Sequence, residues 1–170
     1  MPALVIREAK SHSPEVAGLL DELSLELKAK TGRDGTSSFS LTDVTRARSV
    51  FLVAFDGDTP VGCGALRPID NEVGDEVRDS ICEVKRMYSR IRGKGVGSEI
   101  LATLEREAAR FKYGRIWLET GVENLATIQF YLKRGYKIRE NFGKYRGRAE
   151  CVCFEKGVGG VYQSSLIENS

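Results

Sequence analysis

With 170 residues, 41% of them hydrophobic and 29% charged, the chain has the size and balance of one folded globular domain and is too apolar for a disordered one. A formal net charge of +2 gives no whole-molecule field for nucleic acid or an acidic membrane surface, so any anion site is local. Four cysteines without a Cys-x-x-Cys pair, and His12 as the one imidazole, argue against a metal or disulfide framework; Cys63, Cys82, Cys151 and Cys153 read as buried thiols.

Val5 to Lys10 reads as a first strand. Met1 to Lys10 is too short in its apolar run for a signal peptide, and no stretch approaches the roughly 20 apolar residues of a membrane span, so a cytoplasmic chain without a membrane partner is expected. Ser13-Pro14-Glu15 gives a helix cap, a proline at the first helical position and an acid in the first turn. Val16, Leu19, Leu20, Leu23 and Leu27 then form one apolar stripe, and the helix should end between Ala29 and Gly32. Thr31 to Ser40 has loop composition and is placed to border a substrate. Val50–Phe55 and Val61–Leu66, joined by Asp56-Gly57-Asp58-Thr59-Pro60, predict an antiparallel hairpin.

Ile81 to Ser89 predicts a strand, on which Cys82 points away from Glu83, Lys85 and Met87. A second helix follows, with Val96, Ile100, Leu101, Leu104, Ala108 and Phe111 on its buried face. Arg115–Thr120 predicts a strand, Leu125–Lys133 a short helix, and Tyr136–Arg139 and Ala149–Lys156 two last strands. The order implies an α/β (α+β) fold, a mixed sheet with helices on its faces. Residues 1–156 are expected to form a single domain and residues 157–170 a flexible tail.

The chemistry is concentrated after the 81–89 strand. Arg92-Gly93-Lys94-Gly95-Val96-Gly97-Ser98 sets three glycines at alternate positions where a helix begins. Such a loop lets a bulky anion approach the free amides of the first helical turn, and Arg92 and Lys94 add cations, so a pyrophosphate is a natural guest. A Walker loop would need Ser or Thr after Gly93-Lys94, and a Rossmann fingerprint would need GxGxxG; neither is present.

Arg90-Ile91-Arg92-Gly93-Lys94-Gly95 resembles the R/Q-x-x-G-x-G/A signature of the GNAT superfamily of acetyl-CoA-dependent N-acetyltransferases. Asn124 to Tyr136 resembles its second motif, N-x-x-A-x-x-[LF]-Y-x-x-x-G-[FY], with Thr127 where alanine is typical. The stretch between Tyr88 and Arg92 is shorter than usual and lacks the common proline. Glu83 to Tyr88, Asn141-Phe142-Gly143-Lys144-Tyr145 and Cys153 to Lys156 resemble a bacterial branch of these enzymes. The resemblance runs from Val5 to Lys156 and implies a central, mostly antiparallel sheet of about seven strands with helices on both faces.

The resemblance further implies acetyl-CoA as acyl donor, no metal, and direct transfer to a primary amine of a small molecule or protein in a ternary complex. Met87, Tyr88 and Ser89 match the strand end that pairs with the pantetheine arm, and Arg92, Gly93, Lys94, Gly95, Val96, Gly97 and Ser98 match the pyrophosphate loop. Asn124 matches a side chain that reaches the cofactor arm, and Tyr131 the hydroxyl beside the thioester sulfur. Glu83 stands where some members carry a glutamate base; Glu119 and a water chain are the alternatives. The acceptor pocket is expected from the first helix, Thr31–Ser40 and Asn141–Gly147, and a homodimer fits the family. A GNAT-like acyl-CoA sensor that transfers nothing is the competing reading, against which Tyr131 and Glu83 weigh.

Overall fold

The computed structural model describes residues 4–9, 13–34, 45–69 and 80–159. Seven strands follow the hydrogen-bonding order β1-β2-β3-β4-β5-β7-β6. They are β1 (Val5–Glu8), β2 (Val50–Asp56), β3 (Thr59–Pro68), β4 (Ile81–Ser89), β5 (Arg115–Gly121), β6 (Lys137–Arg139) and β7 (Cys151–Gly157). The helices are α1 (Pro14–Thr31), α2 (Val96–Arg110) and α3 (Leu125–Lys133). The β4–β5 pair is parallel, while β1–β2, β2–β3, β5–β7 and β6–β7 are antiparallel, which makes the sheet mixed and mostly antiparallel. The chain divides into two compact units, one within Met1–Arg67 and Val84–Leu104, the other within Pro68–Glu83 and Glu105–Ser170.

In the first unit α1 starts and stops as its sequence requires. Ser13 Oγ accepts from the Val16 N–H at 3.3 Å, and Gly32, at φ 77°, closes the helix by donating to the Lys28 carbonyl at 2.9 Å. Val16, Leu19, Leu20 and Leu23 are buried, whereas Leu27 is half-buried at the end of the stripe. Val16, Leu19 and Leu20 meet Phe51 and Val53 of β2 and Cys63 and Ala65 of β3.

At Gly62 and Gly64 the other face of β3 is bare backbone. A Cβ at Gly62 would lie 2.6 Å from Val96 Cγ1 and 2.8 Å from the Tyr88 carbonyl oxygen, and one at Gly64 would lie 2.8 Å from Ile100 Cγ2. Successive β3 residues alternate faces, so α1 and the start of α2 press on opposite sides of one strand.

Within the second unit, Ile69, Ile81, Trp117, Phe142, Tyr145, Cys151 and Cys153 form one core cluster. Tyr131 of α3 lies against Tyr136 and Phe154, with ring centroids 5.4 and 5.9 Å away. Glu105 ties the elements together: it accepts from Tyr136 Oη at 3.2 Å and from Lys156 Nζ at 3.1 Å.

Several boundaries differ from the sequence expectation for local reasons. The hairpin turn is only Gly57-Asp58, because Gly57 takes φ 61° and lets Asp56 pair with Thr59. Phe111 lies outside α2, which ends when Lys112 adopts φ 65° and the Tyr113 N–H bonds the Ala108 carbonyl. Tyr136 belongs to the closure of α3, its N–H on the Tyr131 carbonyl, so β6 begins one residue later. β7 begins at Cys151 because the Cys151 N–H closes a turn onto the Arg148 carbonyl. β1 ends at Glu8, although the Ala9 N–H still reaches the Phe51 carbonyl at 2.8 Å. Residues 35–40 of the expected loop and the tail from 160 lie outside the described residues.

The four cysteines are free and buried, as expected. Among the described residues no helix is long and apolar enough to cross a membrane, and no group of three His, Cys, Asp or Glu could hold a metal.

Replacing Gly62 with valine puts side-chain atoms where Val96, Ile100 and the unyielding Tyr88 carbonyl already sit. Overpacking of this kind costs about 1–3 kcal/mol, and the loss is expected as a lower urea midpoint. A Gly62→Val variant with wild-type stability would contradict the close approach of α2 to β3.

Candidate functional site

β4 leads into the glycine loop through an irregular strand. Arg86 takes φ 56° in mid-strand, a conformation that bulky residues adopt only when their surroundings hold them there. The holding groups are visible: Arg86 donates to Ser24 Oγ at 2.9 Å and to the Asp34 carbonyl at 3.1 Å, and its own carbonyl accepts from Cys63 Sγ at 3.3 Å. Burial lowers the Arg86 pKa. This left-handed residue interrupts the strict alternation expected from Glu83 through Met87, and the Met87 sulfur lies on the bare face of β3, 2.7 Å from a Gly64 Cβ position.

The loop itself has the shape of an anion cradle. Gly93 and Gly95 sit at φ 74° and 76°, and a Cβ on either would enter open space rather than protein. Gly95 accepts the first helical bond of α2, from the Glu99 N–H at 3.0 Å. The amides of Val96 and Gly97, at the start of α2, therefore have no carbonyl one turn back to bond, and the helix dipole favours negative charge there. A pyrophosphate fits these residues. Val96 is buried, Gly97 and Ser98 are half-buried, and Lys94 is exposed.

The arginines before the loop are held by α1. Arg90 makes a two-pronged pair with Glu22, both N···O distances 2.6 Å, and donates to the Pro60 carbonyl at 2.6 Å; Arg92 pairs with Glu26. The bond from Arg90 lowers the Glu22 pKa, and the same bond raises that of Arg90. Sequence reasoning left Glu22 and Glu26 unassigned, although their spacing on one helical face places them to meet two arginines two residues apart. Ser89 Oγ bonds the Ile91 carbonyl at 2.6 Å, and the Arg90 N–H bonds the Val61 carbonyl at 2.8 Å, which fixes the strand end where Tyr88 is half-buried.

The remaining residues singled out from sequence, Glu83, Asn124 and Tyr131, lie in the second unit. Asn124 occupies the position before α3 where an asparagine side chain ordinarily caps, yet it makes no capping bond and is buried. Tyr131 is buried, its ring held edge-on by Phe130 at 5.2 Å as well as by Tyr136 and Phe154. Burial raises the Tyr131 pKa, so the phenol stays protonated at neutral pH. Among the described residues no protein group bonds its hydroxyl.

Glu83 is buried on β4 in register with Trp117 of β5, and Tyr145 Oη donates to its Oε2 at 3.4 Å. Glu119, the alternative base, is half-buried on β5 opposite Cys153 of β7. Burial pushes the thiols of Cys63 and Cys153 up to about 12 and Cys82 is fully buried, so these three are unsuited to nucleophilic roles. The contact of Tyr145 with Glu83 was not anticipated; its only signal was the Asn141–Tyr145 phrase.

A mixed sheet whose central strand runs through a glycine loop into a helix defines an α/β protein with an anion cradle. The acetyltransferase (GNAT) family profile matches residues 19–136. An IAA acetyltransferase from Azospirillum brasilense is 33% identical over 147 residues, covering 85% of this chain and 92% of the relative. An acetyltransferase of the GNAT family from Staphylococcus aureus superposes with a TM-score of 0.69 at 14% identity, over 92% of this chain and 100% of that one. A GNAT family acetyltransferase from Elizabethkingia anophelis, solved with acetyl-CoA bound, gives 0.65 at 17% identity, over 93% and 100%. At these identities the two structures speak for the fold alone. The chain belongs to the acetyltransferase (GNAT) family. It is an N-acetyltransferase that uses acetyl-CoA.

The Glu22–Arg90 pair generates a pH prediction. Because the folded-state pKa of Glu22 is depressed, its stabilising effect is present above the unfolded value and is lost as pH falls through the lowered one. The difference in Tm between the wild type and Glu22→Gln is expected in full at pH 7 and should shrink as pH falls below the ordinary carboxylate range and through the lowered pKa of Glu22. A difference unchanged at low pH would show that Glu22 acts by packing.

Proposed function

We propose that this chain transfers the acetyl group directly to a primary amine within a ternary complex. Its pyrophosphate contacts would come from Arg92, Gly93, Lys94, Gly95, Val96, Gly97 and Ser98, with Met87, Tyr88 and Ser89 along the pantetheine arm and Asn124 bonded to it. The observation that carries this reading is Tyr131: a buried hydroxyl at the family's motif position, its pKa raised further by burial, and bonded by no described protein group. Residues 1–156 act as one functional domain in this reading, supported by a family match that runs through both compact units.

Bound acetyl-CoA supplies an activated acetyl group on sulfur. An acceptor amine is mostly protonated near neutral pH, with an ordinary lysine pKa of about 10.4, and must lose a proton to attack. Glu83, directly or through a water, takes that proton. The nitrogen–carbon bond forms as the carbon–sulfur bond breaks, and the Tyr131 hydroxyl donates to the departing sulfur. A backbone N–H at the end of β4 stabilises the charge that develops on the acetyl oxygen.

Tyr131→Phe removes one oxygen and keeps the ring among Phe130, Tyr136 and Phe154. Thiol release from acetyl-CoA is measured with a panel of spermidine, tryptamine, kanamycin and an alanyl peptide, together with IAA, the acceptor named for the Azospirillum relative. The expected result is a kcat lower by about 100-fold with the acetyl-CoA KM nearly unchanged. A loss of about tenfold or less in a folded variant would return Tyr131 to packing. Acetyl-CoA binding without thiol release from any amine would instead describe a sensor.

The loop assignment has its own test. Acetyl-CoA binding the folded state raises Tm, with about 2.7 kcal/mol of stabilisation at 100 times Kd. Gly95→Val fills the open approach to the loop amides at a positive φ. It is expected to lower Tm modestly and to abolish the acetyl-CoA shift; a folded variant that keeps the shift would place the pyrophosphate elsewhere.

A further inference from the structure

Resting on the proposed run of the pantetheine arm along Met87 to Ser89, we infer that Arg86 is a positioning residue for the acceptor. Its side chain ties the last turns of α1 and the segment up to Asp34, as one wall of the acceptor pocket, to the residue that precedes Met87 on β4. All of these groups belong to the first compact unit.

The end of α1 is tied together before Arg86 meets it. The Thr31 hydroxyl donates to the Leu27 carbonyl at 2.8 Å, and its oxygen accepts from the Arg33 N–H at 3.2 Å, which fastens the turn beyond Gly32 to the helix. Arg86 then bonds the helix and the segment after it, donating from Nη2 to Ser24 Oγ at 2.9 Å and from Nη1 to the Asp34 carbonyl at 3.1 Å. A guanidinium suits this task because its planar fork reaches separate acceptors with one rigid group. One of those acceptors is a backbone oxygen, so the bond fixes the path of the chain.

On β4 the same residue is held just as firmly. Arg86 takes φ 56°, a conformation that long side chains keep only where their surroundings over-determine it, and its carbonyl accepts from Cys63 Sγ at 3.3 Å. Burial pushes the Cys63 thiol up to about 12, so the sulfur keeps the proton that it donates. The result is directional. Arg86 reaches α1 on one face of β4, while Met87 sets its sulfur 2.7 Å from a Gly64 Cβ position, on the side where α2 packs. Consecutive residues therefore hold the acceptor wall and begin the strand end proposed for the donor arm. An amine on that wall is placed against a thioester along β4 through this short stretch of backbone, so releasing the wall weakens acceptor capture more than cofactor binding. Arg86 acts through the wall and touches none of the reacting atoms in this scheme.

The test uses the full chain and thiol release with whichever amine of the panel above turns over fastest. The acceptor KM, the acetyl-CoA KM and kcat are measured for the wild type, Arg86→Gly, Arg86→Lys and Ser24→Ala, with Tm and its acetyl-CoA-induced shift as controls for fold and cofactor binding. Glycine takes the left-handed conformation freely, so Arg86→Gly keeps the backbone and removes the fork. It is expected to raise the acceptor KM about tenfold with the acetyl-CoA KM within about twofold. Arg86→Lys keeps one cationic donor and should fall between the two. Ser24→Ala removes one anchor and should raise the acceptor KM about threefold at unchanged Tm. A folded Arg86→Gly with a wild-type acceptor KM, or with both KM values raised alike, would overturn the inference. If Arg86→Gly does not fold, a wild-type acceptor KM in Ser24→Ala overturns it. A folded wild type that binds acetyl-CoA and releases thiol with no amine would overturn the transfer reading, and the inference with it.

Discussion

The start of α2 is fixed by contact with bare backbone. Val96 and Ile100 occupy the space that side chains at Gly62 and Gly64 would fill, and the Tyr88 carbonyl closes the same gap from β4. Close-packed interiors transmit such constraints, since none of these atoms can shift by even a methyl group without a clash elsewhere. The glycine loop ends at Val96, so its amides inherit the position of the helix. An anion site built from backbone is only as precise as the element that carries the backbone, and here that element is seated on β3 at two glycines.

The second unit achieves its order with polar groups placed among aromatic rings. Glu105 accepts bonds from Tyr136 and Lys156, Asn141 donates to three carbonyls, and Glu83 accepts from Tyr145. Each is a buried or half-buried polar group with named partners, as low-dielectric surroundings demand. The contrast with Asn124 and Tyr131 is informative. Those two polar side chains sit in equally enclosed places, yet Asn124 forgoes its ordinary capping bond and Tyr131 keeps an uncommitted hydroxyl.

Much of this was legible because the signals were local. Ser13-Pro14 and Gly32 bracket α1, and the spacing of Val96, Ile100, Leu101, Leu104 and Ala108 gives α2; the bounds of β4 and α3 agree with their apolar patterns. The glycine loop and the Asn124–Tyr136 motif announced the family for the same reason, each being one contiguous segment with a single backbone task. What could not be read depends on distant partners. The φ of Arg86 is imposed by Ser24 and Asp34, and Tyr145 meets Glu83 only once β4 and the 141–145 turn are in place. Gly62 and Gly64 carry no local signal of their role and are close contacts of β3 with α2, because the residue that explains a glycine is on another element.

In the proposed pyrophosphate site, the pairing of the loop arginines with α1 bears on how one anion would be told from another. A cell holds free phosphate and other small anions in abundance, and a patch of three bare cations would attract all of them. Here Arg90 and Arg92 already face Glu22 and Glu26, so much of their field is cancelled, and Lys94 is the loop cation that faces no carboxylate among the described residues. An anion gains little from arriving nearby and gains fully only by matching the directions of the helix-start amides. Such a site discriminates by shape at short range, and ambient ions are poor competitors for it.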